Sequence, residues 1–175
     1  MKRLVLLRHF KSSWHEAGMA DHDRPLAPRG QHDATLMAET MIARGLTPDR
    51  ILCSPARRTR ETLAALEAVI GAMSEITAFV DELYSGPEID YRAIIATMGG
   101  DADRLMLIGH NPRIHATALA LVGAGNRDAR AHLAHKYPTG ALTMIEFAAD
   151  NWPGAAEGGG KLAAFIRPRD VGEEP

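Results

Sequence analysis

One cysteine, Cys53, stands among 175 residues, too few for an internal disulfide, a zinc ribbon or a paired-cysteine redox motif. Aromatic residues make up only 5% of the chain, which leaves little for stacking on bases. The 20 Lys and Arg are outnumbered by 22 Asp and Glu, so no global positive field draws the chain to nucleic acid or to an anionic membrane. No uncharged apolar run approaches the roughly 20 residues that cross a bilayer. The opening Lys2-Arg3-Leu4-Val5-Leu6-Leu7-Arg8 begins with charge like an export signal, but its apolar stretch stops well short of the roughly 7–15 residues such a signal needs. It predicts a strand. A cytoplasmic protein in a reducing compartment is expected, with no nucleic-acid or membrane partner, although a local cationic pocket is still compatible with this charge balance.

What is present describes an ordinary folded domain. The length fits the roughly 100–200 residues of a single unit, and 46% apolar with 24% charged residues is a globular composition. Residues 1–170 are expected to form the domain and 171–175 a flexible tail, the polar stretch from Arg167 onward being expected to fray. Short continuous apolar runs at Leu4–Leu7, Ile51–Cys53, Leu105–Ile108 and Leu142–Phe147 read as strands buried on both faces. Helical spacing fills Pro28 to Arg44, Pro55 to Gly71, Pro87 to Met98 and Pro112 to Val122, each with Pro near its start and Gly near its end. Asp150 to Lys161 reads as a loop and Leu162 to Ile166 as a final edge strand. Alternation of strand and helix predicts an α/β fold with a mostly parallel central sheet and helices on both faces.

In such a sheet, ligands bind beyond the carboxyl ends of the strands. There the first strand runs into Arg8-His9, the second into Ser54-Pro55 followed by Arg57, Arg58 and Arg60, and the fourth into Gly109-His110-Asn111. A lone histidine at a strand end is usually structural, but two at matching ends beside several arginines point to phosphate, which the planar guanidinium fork grips in two places. Arg8 and His9 can share one pocket only if the strand ends or turns between them, since successive strand residues face opposite ways. His132 and His135, spaced i, i+3, lack a matched third ligand, so no metal site is expected. Arg57 and Arg60 are expected on a solvated helix face, and Met37, Met41, Met98, Met106 and Met144 in the core.

The ordered set Leu7-Arg8-His9, Ser54-Pro55-x-x-Arg58 with Thr62, Glu82, and Gly109-His110-Asn111-Pro112 resembles the histidine phosphatase superfamily. Asp21-His22-Asp23-Arg24-Pro25-Leu26, Pro138-Thr139-Gly140-Ala141 and Arg167-Pro168-Arg169-Asp170 are similar to its small SixA-like branch. The resemblance implies a phosphoglycerate mutase-like fold with no large cap insertion, no cofactor, and phosphoryl transfer through a phosphorylated histidine. By resemblance His9 is the nucleophile, and Arg8, Arg58 and His110 clamp the phosphoryl group. Glu82 is either the acid that protonates the leaving oxygen or a solvated turn carboxylate. Phe10, His15 and Ala27 depart from the wider superfamily pattern. Lys11, Ser12, His15 and Asn111 are the expected substrate contacts. The expected partner is a phosphorylated protein of the histidine phosphotransfer type or a small phosphorylated metabolite, the expected enzyme a monomeric phosphohistidine phosphatase in signal transduction. A small-molecule phosphomonoesterase and a non-catalytic phosphoprotein-binding module are the alternatives.

Overall fold

The computed structural model describes residues 1–14 and 16–172. Its elements are β1 (Lys2–Arg8), α1 (Pro28–Ala43), β2 (Arg50–Cys53), α2 (Arg57–Ile70), β3 (Thr77–Phe79), α3 (Glu82–Ser85), α4 (Arg92–Met98), β4 (Arg104–Gly109), α5 (Arg113–Leu121), β5 (Val122–Gly125), α6 (Arg127–His135), β6 (Leu142–Phe147), α7 (Trp152–Ala155), β7 (Gly160–Ile166) and α8 (Pro168–Val171). The strands form one sheet in the order β3-β2-β4-β1-β6-β7-β5. Pairing is parallel except where β6 runs against β1 and β7. This is the expected mostly parallel α/β architecture. Among the described residues no helix is long and apolar enough to cross a membrane.

The continuous apolar runs follow from burial of the sheet on both sides. Leu4, Leu6, Leu105 and Leu107 enter one core cluster with Tyr91, Ile114 and Trp152. Their neighbours Val5, Leu7, Met106 and Ile108 enter the other with Met37, Met41 and Leu66 from α1 and α2. A strand with period two must be apolar at every position when both faces are covered. Each such side chain taken fully out of water contributes about 1.5–3 kcal/mol. Met37, Met41 and Met106 are fully buried and Met144 nearly so, while Met98 is half-buried against the first cluster.

Register is what places the chemistry. Arg8 pairs with Gly109 across β1 and β4, and Cys53 with Ile108 across β2 and β4. Three adjacent parallel strands therefore end level, and the next residues, His9, Ser54 and His110, emerge together at one edge.

Several elements differ from the expectation. Leu162–Ile166 is not an edge strand: β7 is covered by β5, which begins at Val122, the last residue of the expected helix. Glycine is needed there because a Cβ on Gly123 would lie 2.9 Å from the backbone of Gly159. The helix expected from Pro87 starts only at Arg92, whose amide is capped by the Asp90 carboxylate at 3.0 Å. β3 and α3 are each too short to leave a periodic signature. α6 is started by Asn126, whose side chain accepts from the amides of Asp128 and Ala129. Within the stretch read as a loop, Asn151 likewise caps α7, and Trp152 of that helix is almost fully buried. Of the segment expected to fray from Arg167, Pro168–Val171 instead forms α8, with Arg167 and Asp170 joined in a capping box and the helix packed on α1, while residues 173–175 of the expected tail lie outside the described residues.

Candidate active site

β1 stops where the Gly140 amide donates to two successive carbonyls, Arg8 at 3.1 Å and His9 at 2.9 Å. The chain turns out of the sheet there, which meets the geometric condition for Arg8 and His9 to share a pocket. The His9 amide still reaches the Gly109 carbonyl, and the Phe10 amide donates to Thr62 Oγ1, itself bonded to the Arg58 carbonyl. Gly140 has φ +74°, and an added Cβ would come within 2.6 Å of the Phe10 ring and 2.8 Å of Pro168. Gly140→Ala should therefore lower stability by about 2–4 kcal/mol, from left-handed strain plus overpacking, and loosen His9 with it. Denaturant unfolding checks this; an unchanged midpoint would contradict it.

Arg8, His9, Lys11, Ser12, Trp14, Arg24, Arg58, His110, Asn111 and Thr139 line an open cavity of about 260 Å3 at this edge. His9 Nδ1 lies 2.7 Å from the Phe10 carbonyl. A carbonyl only accepts, so Nδ1 carries the proton and Nε2 keeps its lone pair. The His9 and His110 rings stand 5.4 Å apart, and His110 Nε2 is 2.7 Å from Ser54 Oγ. Arg8 Nη1 and Asn111 Nδ2 both donate to the Tyr137 carbonyl at 2.9 Å. Arg8 Nε, Arg58 Nε and His110 Nδ1 are buried and unpartnered among the described residues, so the lining retains donor capacity.

Asp21 organises the cations. Its carboxylate accepts from Arg24 at 2.9 Å, Arg58 at 3.1 Å and the Tyr84 hydroxyl at 2.9 Å, and its carbonyl accepts from Arg58 at 2.8 Å. Partial burial acts against its ionised form, but the hydrogen bonds from Arg24 and Tyr84 and the charge of Arg58 outweigh that and hold the carboxyl at about 2. Arg24 also donates to Ser12 Oγ at 2.6 Å, and its guanidinium carbon lies 3.1 Å from the centroid of the exposed Trp14 ring.

Burial, with the nearby positive charges, keeps both histidines neutral. Burial is the largest cause and the nearby arginines add to it for His9, which falls to about 3 although its bond to Phe10 opposes the shift. His110 also falls to about 3, through burial, His9 and Arg58. An unfolded histidine titrates near 6.5, so between about 6.5 and 3 the unfolded chain binds more protons than the folded one. Stability is thus complete above this window and is lost as pH falls through it. Melting temperatures measured from pH 7.5 downward should show this acid loss, and a His9→Ala/His110→Ala double variant should lose less. An identical acid slope in the double variant would contradict the assignment.

The structure brings together most residues singled out in the sequence. His9, Arg8, Arg58, His110, Lys11, Ser12 and Asn111 all line the cavity, while His15 lies outside the described residues. Glu82 is not among the described residues of the lining: it is exposed at the start of α3, and its carbonyl accepts from Arg113. Arg24, Asp21, Ser54, Trp14, Tyr84 and Thr139 are site residues that the sequence reading left without a role. Their signal was present in the Asp21-His22-Asp23-Arg24 and Pro138-Thr139-Gly140 motifs and in Ser54 at a strand end. Arg57 and Arg60 are exposed on α2, paired with Glu61 and the Pro55 carbonyl, as expected of a solvated face. His132 and His135 are exposed on α6.

Comparison with known proteins agrees with this fold. A family model described as "Histidine phosphatase superfamily (branch 1)" matches residues 4–97. An uncharacterized chloroplastic protein of Arabidopsis thaliana is 32% identical, over 95% of this chain and 78% of its own. Among solved structures, a candidate phosphohistidine phosphatase SixA from Agrobacterium tumefaciens is 28% identical with a TM-score of 0.77, over 95% of this chain and 98% of that one. Its counterpart from Nakamurella multipartitia is 29% identical with a TM-score of 0.78, over 95% and 96%. With the family model covering more than half of its residues, this chain belongs to branch 1 of the histidine phosphatase superfamily.

Proposed function

We propose that the protein hydrolyses phosphohistidine on a signalling or phosphotransfer protein through a covalent phospho-His9 intermediate. The observation that carries the reading is a neutral His9, with Nδ1–H fixed on a carbonyl, set beside Arg8, Arg24, Arg58 and His110 in one open cavity.

The Nε2 lone pair of His9 attacks phosphorus in line, and the P–N bond to the substrate imidazole breaks. The arginines neutralise charge on the equatorial oxygens. With Ser54 donating its hydroxyl proton to His110 Nε2, Nδ1 of His110 bears a proton and becomes a neutral donor to the same oxygens. The departing imidazole nitrogen takes its proton from water. That step needs no carboxylic acid, because an imidazole leaves more readily than an alkoxide, and it suits the exposed position of Glu82. A second water then attacks phosphorus, inorganic phosphate departs, and the lone pair returns to Nε2 with the released proton passing to solvent. Throughout, Nδ1–H stays on the Phe10 carbonyl, so the ring need not turn between steps.

An open cavity suits a phosphorylated side chain presented by a protein better than a small ligand that requires enclosure. Both SixA structures quoted above are named for the same substrate class. The test compares kcat/KM for a phosphohistidine-bearing phosphocarrier with that for a panel of sugar phosphates. The expected result favours the phosphocarrier. Preference for a sugar phosphate would replace the substrate while keeping the chemistry, and absence of phosphate release from every compound would leave only a binding module.

A further inference from the structure

A second cavity, about 510 Å3, adjoins the catalytic one, and Lys11 and Thr139 line both. Five cations, Lys11, Arg29, Lys136, Arg167 and Arg169, face it, and Asp33 is the one acid among the described residues of the lining. The chain as a whole carries a net charge of −2, so this is a local concentration of positive charge rather than a share of a general field. The fold assembles it from four separated segments: the turn after β1, the start of α1, the end of α6, and α8 with the residue before it.

These cations are not arranged as a phosphate clamp. Such a clamp needs buried guanidinium groups gathered around one small cavity, as Arg24 and Arg58 are in the catalytic cavity, each only 7% exposed. In the second cavity the Arg167 fork is taken by Asp170 through two bonds of 2.8 Å, and Arg29 lies 3.8 Å from Asp33. Lys11, Lys136 and Arg169 are exposed, solvated charges around a wide mouth. Charges of this kind attract carboxylates without stripping their water, and they set encounter and orientation more than tight capture.

We infer that this cavity receives acidic side chains flanking the phosphohistidine on the partner protein, seating the partner so that its phosphoryl group enters the neighbouring catalytic cavity. This rests on the phosphohistidine reading above and adds a rule for substrate choice: histidines in acidic surroundings are preferred.

Two synthetic peptides phosphorylated on one histidine, identical except that neighbouring Asp and Glu become Asn and Gln, test it against wild type and a Lys136→Ala/Arg169→Ala variant. A small aryl phosphate, which needs only the catalytic cavity, reports basal turnover and should be processed equally by both enzymes. The acidic peptide should show kcat/KM about tenfold above the neutral one in wild type, mainly through KM, and the gap should close in the variant. Added salt should narrow it in wild type. Equal use of the two peptides by wild type, or an undiminished gap in the variant, would overturn the inference. If neither peptide is hydrolysed while the aryl phosphate is, the phosphohistidine reading fails instead. The cavity is then read by inhibition of aryl phosphate turnover: the unphosphorylated acidic peptide should inhibit wild type more than the variant, and equal inhibition would overturn the docking role.

Discussion

His9→Ala should abolish covalent turnover, leaving at most the residual acceleration from bound charge-stabilising groups. The expectation follows from division of labour in the cavity. Arg8, Arg24, Arg58 and His110 can hold and neutralise a phosphoryl group, but each arginine keeps its proton and none offers a lone pair. His110 has its Nε2 engaged by Ser54 at 2.7 Å, so it is poorly placed to replace the missing nucleophile. His9 is buried, but it lines a polar pocket and belongs to neither apolar core cluster, so truncation should leave the fold intact, which circular dichroism and melting would verify. Near-normal phosphate release from His9→Ala would remove the mechanism, since no other described residue of the lining combines a neutral lone pair with this setting.

Arg58→Ala should lower turnover by about 10²–10³-fold, the usual cost of losing one preorganised charge-stabilising donor, equivalent to about 2.7–4 kcal/mol. Arg58 is 7% exposed and fixed by two hydrogen bonds to Asp21, so its charge is already in position before substrate arrives. Removing it also frees Asp21, whose carboxylate would then face the cavity with one cation fewer beside it. That second effect opposes phosphate binding and should raise KM. Arg58→Lys restores charge without the fork and should recover only part of the loss. Steady-state kinetics on the two variants checks both statements, and full activity in Arg58→Ala would show that the guanidinium does not act on the reacting group.

The fold was legible in the sequence wherever burial on both faces forced continuous apolar runs, as in β1, β2, β4 and β6. It was illegible where an element is short or is specified by contacts distant in sequence. β5 holds two glycines and owes its place to the close approach of Gly159, and α6 depends on a single Asn126 cap. The site divides the same way. His9, Ser54 and His110 follow strand ends, so a rule about parallel sheets finds them. Asp21, Arg24 and Trp14 lie on the excursion between β1 and α1, where no periodicity says which way a side chain turns. Only the folded chain reveals that Asp21 gathers Arg24, Arg58 and Tyr84 from three separate segments. For Glu82 the resemblance offered either an acid for the leaving oxygen or a solvated turn carboxylate, and the folded chain places it exposed at the head of α3.

The covalent intermediate is the centre of the account. Brief exposure of the protein to acetyl phosphate, followed by intact-mass measurement and peptide mapping, should show one phosphoryl group on His9 that is labile in acid and stable in base, with none on His9→Ala. Acid-stable phosphate on another residue, or undiminished phosphate release from His9→Ala, would contradict it.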